Sequence, residues 1–269
     1  MDTNNFNKLV KKRKDWVAVS KENNFDFDSI LSGLYNDPSH FIYELLQNAE
    51  DVHATNIQFK LLKKELIIQH NGKDFNFDDV DGITGIGIST KKEDINKIGK
   101  FGVGFKSVFA MSNMPEIESG KFHFKIDDFV VPTSIKNTNI SNTRISLPFN
   151  HPRRSTNEIY KIVENKLQDI GLKTLLFLTN IEEIKWESPK KTGHYYKSTE
   201  NITDTSEIKK VSIISQTGSE EKFERYLVFS RKINLSNKDL KVELAYKLEK
   251  DSENVEKIVK VTPKESKLV

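Results

Sequence analysis

Glu44, Asn48 and Asp51 stand at i, i+4 and i+7, a spacing that projects all three from one face of a helix. That face carries a carboxylate, a carboxamide and a second carboxylate beside an apolar stripe of Phe41, Leu45, Leu46 and Ala49. Read alone, they describe an ordinary solvated helix face. A second feature lies further on, Ile98-Gly99-Lys100-Phe101-Gly102-Val103-Gly104-Phe105-Lys106-Ser107. Glycines ahead of a helix leave backbone N–H groups uncovered by any Cβ, which makes a ready anion site. Two familiar phosphate loops fail on spacing. A P-loop needs Gly, Lys and Ser or Thr contiguous, and Phe105 intrudes between Gly104 and Lys106. The dinucleotide fingerprint wants a strand before its glycines, and here a polar loop precedes them. A Gly-rich turn packed on a helix stays open as the plain reading.

These residues need elements to hold them. The pattern predicts a basic helix over Asn7–Ser20, a short one over Asp28–Tyr35, and a better one from about His40 to Val52, capped by Ser39 or Asp37. Ile57–Leu62 and Glu65–Gln69 read as a hairpin turning at Lys63-Lys64. Seven of the chain's 12 glycines then fall between Asn71 and Ser107, where backbone must approach something closely or take positive φ. Val108–Ser112 completes a helix, and Glu116–Glu118, Phe122–Ile126 and Thr143–Leu147 read as strands. Residues 154–170 form an amphipathic helix through Ile159, Ile162, Val163 and Leu167. Residues 181–187 open a strand-rich tail containing Val211–Ile214, Tyr226–Phe229, Val242–Tyr246 and Ile258–Val261.

The expected fold class is α+β: an α/β sandwich in the first half, followed by a strand-rich region of mostly antiparallel strands. Asn150-His151-Pro152 is the natural cut, giving units over 1–150 and 151–269. The chain reads as a fragment of something longer, because its last residues form no capping element.

Composition narrows the function classes. The 269 residues suffice for a substantial core, and 17 Phe are too many for a disordered chain despite 36% apolar and 30% charged residues. The 42 basic and 39 acidic residues nearly cancel to +3, and 36 of the basic ones are Lys, so no pull toward nucleic acid or membrane is indicated. Zero Cys removes disulfide frameworks, thiolate zinc sites and cysteine nucleophiles together. His40, His53, His123 and His194 show no metal-ligand spacing. The Lys11-Lys12-Arg13-Lys14 run reads as a solvated helix face, and a cytoplasmic location is expected.

Four motifs stand in order: Glu44-x-x-x-Asn48-x-x-Asp51, His70-Asn71-Gly72-Lys73-Asp74-Phe75, Gly99-x-Phe101-Gly102-x-Gly104-Phe105-Lys106-Ser107, and Asn142-Thr143-Arg144-Ile145. Together they resemble the GHKL superfamily, whose members share the Bergerat ATP-binding fold and include the ninety-kilodalton heat-shock chaperone, gyrase B, MutL and the histidine kinases. The likeness is to its sacsin-type branch, through Glu44-Leu45-Leu46-Gln47-Asn48-Ala49-Glu50-Asp51, Ser89-Thr90-Lys91 and the glycine run. It covers residues 41–146 and continues more weakly through Leu175-Leu176-Phe177-Leu178.

The resemblance implies ATP and Mg²⁺ as cofactors, and it implies roles. Asn48 would give a side-chain oxygen to Mg²⁺, with Asp51 on the same face. Glu44 would orient or deprotonate the attacking water. Gly99, Phe101, Gly102, Val103, Gly104 and Phe105 would wrap the phosphates, with Lys106 adding charge. Gly85–Lys100 would be a lid with Lys91 as a possible phosphate contact. Thr143 would lie below the adenine, its hydroxyl in a hydrogen-bond network.

The second motif departs from the superfamily's Asp-x-Gly-x-Gly, whose Asp accepts the adenine amino proton. Here it reads His70-x-Gly72-x-Asp74. A neutral imidazole can accept through one nitrogen, Asn71 can shift in, or adenine selectivity is relaxed. His70 as a strand-end histidine without a ligand role also stays open. The expected function is a slow Mg²⁺-dependent ATPase whose lid closure drives conformational change, with a second copy or other domains as partners. The alternative is a nucleotide-sensing scaffold with little hydrolysis. The histidine-kinase branch fits poorly, since no acceptor-histidine helix is evident.

Overall fold

A computed structural model describes residues 3–24, 38–85, 104–204, 207–235 and 238–261. The expected helix at Asp28–Tyr35, Lys91 and the glycine-loop residues Gly99, Phe101, Gly102 and Val103 lie outside them. Among the described residues the fold is α+β, built on one open sheet of twelve strands that is antiparallel except for one pair.

Helix α1 (Thr3–Glu22) comes first, then a 3-10 turn (Pro38–His40) that runs directly into α2 (Phe41–Asp51). That turn displaces the expected Ser39 cap. His40 occupies the cap position and makes no side-chain cap hydrogen bond. Strands β1 (Asn56–Leu61) and β2 (Glu65–His70) form the expected hairpin, with Ile57 opposite His70 and Leu61 opposite Leu66. Helix α3 (Phe77–Thr84) follows, closed by a capping box in which Asn76 and Asp79 bond each other's backbone N–H groups at 3.1 and 2.9 Å. A 3-10 turn over Gly104–Ala110 stands where a helix was expected. Strands β3 (Glu116–Ser119), β4 (Phe122–Asp127), β5 (Val131–Ser134) and β6 (Thr143–Pro148) complete the first half.

Next come α4 (Thr156–Asp169), with Ser155 accepting from the Glu158 N–H, and α5 (Leu172–Leu176). Strands β7 (Glu183–Glu187), β8 (Thr192–Asn201), β9 (Ile208–Thr217), β10 (Glu220–Leu235), β11 (Lys238–Lys250) and β12 (Glu256–Ile258) form the tail. The spatial order is β12-β11-β10-β9-β8-β7-β1-β2-β6-β3-β4-β5. The one parallel pair is β1 with β7, so β1 lies between its own hairpin partner and the first tail strand.

Alternation along the strands explains the core. Ile57, Phe59 and Leu61 of β1, Leu66 and Ile68 of β2, Ile145 and Leu147 of β6, and Ile184 and Trp186 of β7 face inward and are buried. Phe6 and Leu9 of α1, the stripe of α2, and Ile159, Val163 and Leu167 of α4 join the same cluster. One core therefore continues past residue 150. The outer face is polar at Gln58, Lys60 and Lys185, but on β8 to β11 it exposes Tyr196, Ile214, Phe223, Phe229, Leu244 and Tyr246. No described helix is long and apolar enough to cross a membrane.

Candidate functional site

Burying Phe41, Leu45, Leu46 and Ala49 against the sheet fixes the roll of α2 and leaves Glu44, Asn48 and Asp51 half-buried along one flank. The 3-10 turn after the glycine run packs on this helix, anchored by the buried Phe105, Val108 and Phe109. The contact is closest at Glu44. A Cβ on residue 104 would fall 2.2 Å from Glu44 Oε2, so any larger residue there would have to push this carboxylate aside. The other oxygen, Oε1, lies 3.2 Å from His40 Nε2, one turn back on the helix. The structure thus brings together two of the predicted groups, the α2 carboxylate and the last glycine of the loop.

A second cluster lies where β2, β3 and β6 meet. His70 and Thr143 are directly opposed across the β2–β6 pair, and both are buried on the inner face. Thr143 Oγ1 lies 2.5 Å from Ser119 Oγ, and Ser119 Oγ accepts the Phe75 N–H at 2.9 Å. Ser119 was not singled out in the sequence. Its signal was a small polar residue continuing the inward alternation of Ile117. His70 Nδ1 accepts the Gly72 N–H at 3.2 Å, and burial pushes the ring's pKa down to about 4. Gly72 is required because the chain crosses the end of α2, where a Cβ would come within 2.6 Å of the Val52 side chain.

Two predicted residues are committed elsewhere. Asn71 accepts the N–H groups of Thr55 and Asn56 at 2.9 and 3.1 Å and donates to Thr55 Oγ1 at 2.8 Å, closing the turn from α2 into β1. Lys106, expected to bring charge to phosphates, is buried and donates to the Phe129 carbonyl, with its ammonium 5.5 Å from the Phe109 ring centre. Burial and then the nearby Arg13 charge lower its pKa to about 7. Arg13 itself is buried on α1, paired with Asp81 of α3 at 2.6 Å.

Glu50 carries an unforeseen role. It is buried, and Oε1 accepts the N–H groups of Thr179 and Asn180, both at 2.7 Å, and the Asn180 amide at 3.0 Å. Oε2 accepts the Ile181 N–H at 2.9 Å. This carboxylate fixes the chain that leads from α5 into β7 onto the end of the site helix. The available signal was its place four residues after Leu46, in line with the apolar stripe. Lys197, also buried, donates to the Leu178 carbonyl beside it, and burial lowers its pKa to about 8 against the opposing pull of Glu50.

Residues 60–150 match the Sacsin domain family, a stretch that includes His70, Gly104, Lys106 and Thr143 while α2 lies just before it. Protein NO VEIN of Arabidopsis thaliana is 34% identical over 188 residues, 58% of this chain and 7% of its own length. Sacsin of Homo sapiens is 35% identical over 112 residues, 35% of this chain and 2% of its own length. A putative type II restriction enzyme, HgiDII of Herpetosiphon aurantiacus, is 29% identical over 99 residues, 34% of this chain and 16% of its own length. The chain thus spans only a small part of each of these relatives.

Proposed function

We propose that this chain, sacsin-like over residues 60–150, is a GHKL-type module that binds Mg²⁺–ATP between α2 and the glycine loop and hydrolyses it slowly. The observation that carries the reading is Glu44 Oε2 lying where a Cβ of residue 104 would stand, so that the polar flank of α2 meets the end of the glycine run. The residues present suit the group. Asn48 and Glu44 are hard oxygen donors one turn apart on a single helix face, and the missing Cβ at 104 leaves room for the Glu44 carboxylate beside the end of the glycine run. Asn48 would hold Mg²⁺ through its amide oxygen, and Mg²⁺ supplies charge neutralisation at the phosphates when bound. Glu44 would orient a water and take its proton at Oε2, while His40 holds the other oxygen in place. The packing of the Gly104–Ala110 turn keeps these groups fixed relative to one another.

In a longer protein, closure over the nucleotide would drive a conformational change in other domains or in a second copy. Phosphate release at saturating Mg²⁺–ATP tests the reading. Glu44→Ala should cut turnover by about 10²-fold while affinity changes little. Equal rates in both proteins refute the role of Glu44. A second reading, a nucleotide-responsive scaffold without appreciable hydrolysis, draws support from Lys106, whose ammonium is taken by Phe129. It predicts retained binding with negligible turnover in wild type and variant alike.

A further inference from the structure

Strands β10 and β11 carry apolar side chains on the face that points away from the helices. The core reaches Tyr226 and Val228 on the inner face of β10, and around them that face is a polar ladder. There Ser230 Oγ donates to Glu243 at 2.7 Å, Lys209 and Lys241 lie 3.0 and 2.9 Å from the same carboxylate, and Lys247 lies 3.5 Å from Glu224. On the outer face Tyr196 stands opposite Ile214, Ile214 opposite Phe223, and Phe229 opposite Leu244. Tyr246 joins them, its ring centre 5.7 Å from that of Phe229. These six side chains are between 36% and 57% exposed. They offer roughly 500 Å² of apolar surface, which matches the apolar share of the ~800 Å² that each partner buries in a stable interface.

The charges on this face are arranged around the patch and not against it. Glu256 is bonded by Arg225 and lies 2.7 Å from Lys210, and Glu200 stands opposite Lys210 in the β8–β9 pair. The Arg225 guanidinium lies 4.9 Å from the Phe223 ring centre, so it covers apolar surface while paired. At the two ends of the apolar run on β10 stand Glu221 and Arg231, both exposed and of opposite sign. A strand acidic at one end and basic at the other is complementary to its own reverse.

We propose that a second copy of this chain docks on this face, outer sheet against outer sheet, about a two-fold axis that crosses β10 at Tyr226 and runs perpendicular to the strands. Stacked sheets keep their strands within about 30° of one another, so the two β10 strands overlie in opposite directions. Glu221 of each copy then meets Arg231 of the other, and Phe223 of each meets Phe229 of the other, as an isologous contact requires. An axis along the strands would instead set Glu221 on Glu221 and Arg231 on Arg231, which like-charge repulsion disfavours. Self-association through this face does not depend on nucleotide.

The experiment is sedimentation velocity of the full chain and its variants, without nucleotide, across a concentration series. Wild type should show a concentration-dependent dimer at micromolar protein. Leu244→Glu, at a 57% exposed position, should weaken it at least 10-fold. Glu221→Arg and Arg231→Glu alone should each weaken it about 5-fold, because each turns two attractions into two repulsions. The double variant should return to within about 2-fold of wild type. Both charges are exposed, so these variants test the contact even where Leu244→Glu fails to fold. A wild type that stays monomeric at about 100 μM, well above a micromolar Kd, overturns the proposal. A dimer that folded Leu244→Glu leaves intact, or a double variant no tighter than either single one, places the contact elsewhere and overturns it too.

Discussion

Glu50→Ala removes the acceptor for three backbone N–H groups and one side-chain amide at a single stroke. The Ile181 N–H is buried, so its loss incurs the full penalty of an unsatisfied donor, about 1–3 kcal/mol. Thr179 and Asn180 are partly exposed, and water recovers much of their loss, leaving about 0.5–1 kcal/mol each. Against this, removing a negative charge from the last turn of α2 relieves an unfavourable helix-dipole contact worth about 0.3–1 kcal/mol. The net expectation is a destabilisation of about 3 kcal/mol. Glu50→Gln keeps one accepting oxygen and should lose about half as much, because its amide faces one N–H donor to donor. Urea denaturation followed by far-ultraviolet circular dichroism is the assay, and with a slope near 3 kcal/mol per molar the alanine variant should unfold about 1 M earlier. A shift below about 0.3 M for Glu50→Ala, or equal shifts for both variants, refutes the claim that this carboxylate ties the β7 side of the sheet to the site helix.

Acid should weaken the fold through His70. Its pKa is about 4 in the folded chain and 6.5 ordinarily, so the unfolded chain takes up the proton first and stability falls as pH drops from about 6.5 to about 4. The wild-type minus His70→Asn difference in unfolding free energy should shrink by about 3 kcal/mol over that window, and a flat difference contradicts it. Gly193 lies opposite Trp186 in the β7–β8 pair, and a Cβ there would fall 2.1 Å from Trp186 Nε1. Gly193→Ala should therefore cost about 1–3 kcal/mol and shift the fluorescence of the buried Trp186, while unchanged emission and stability refute the close packing.

What could be read from the chain alone was local. The stripe Phe41, Leu45, Leu46 and Ala49 and the flank Glu44, Asn48 and Asp51 follow from helical spacing, and all seven lie on α2 as that spacing requires. The β1–β2 hairpin was legible for the same reason, since its alternation and turn lie within a few residues. Glu50 was not, because its partners are about 130 positions away and nothing nearby marks them. Strand β8 was hidden by polar residues such as His194 and Lys197. Its place between β7 and β9 satisfies both edges of its backbone, so Tyr195 and little else needs to be apolar inside. The fate of Lys106 was equally invisible, since its acceptor is a carbonyl in the β4–β5 connection. The state of His70 turns on a backbone N–H two residues away, a contact that no residue type announces.

Mg²⁺–ATP is proposed to bind between α2 and the turn beginning at Gly104. Calorimetric titration of wild type and Asn48→Ala with Mg²⁺–ATP tests it most directly. Saturable binding by wild type, weakened at least 10-fold by Asn48→Ala and no longer dependent on Mg²⁺, is the result expected if the amide oxygen holds the ion. Equal binding by the two proteins, or none by wild type at millimolar ATP, would contradict it.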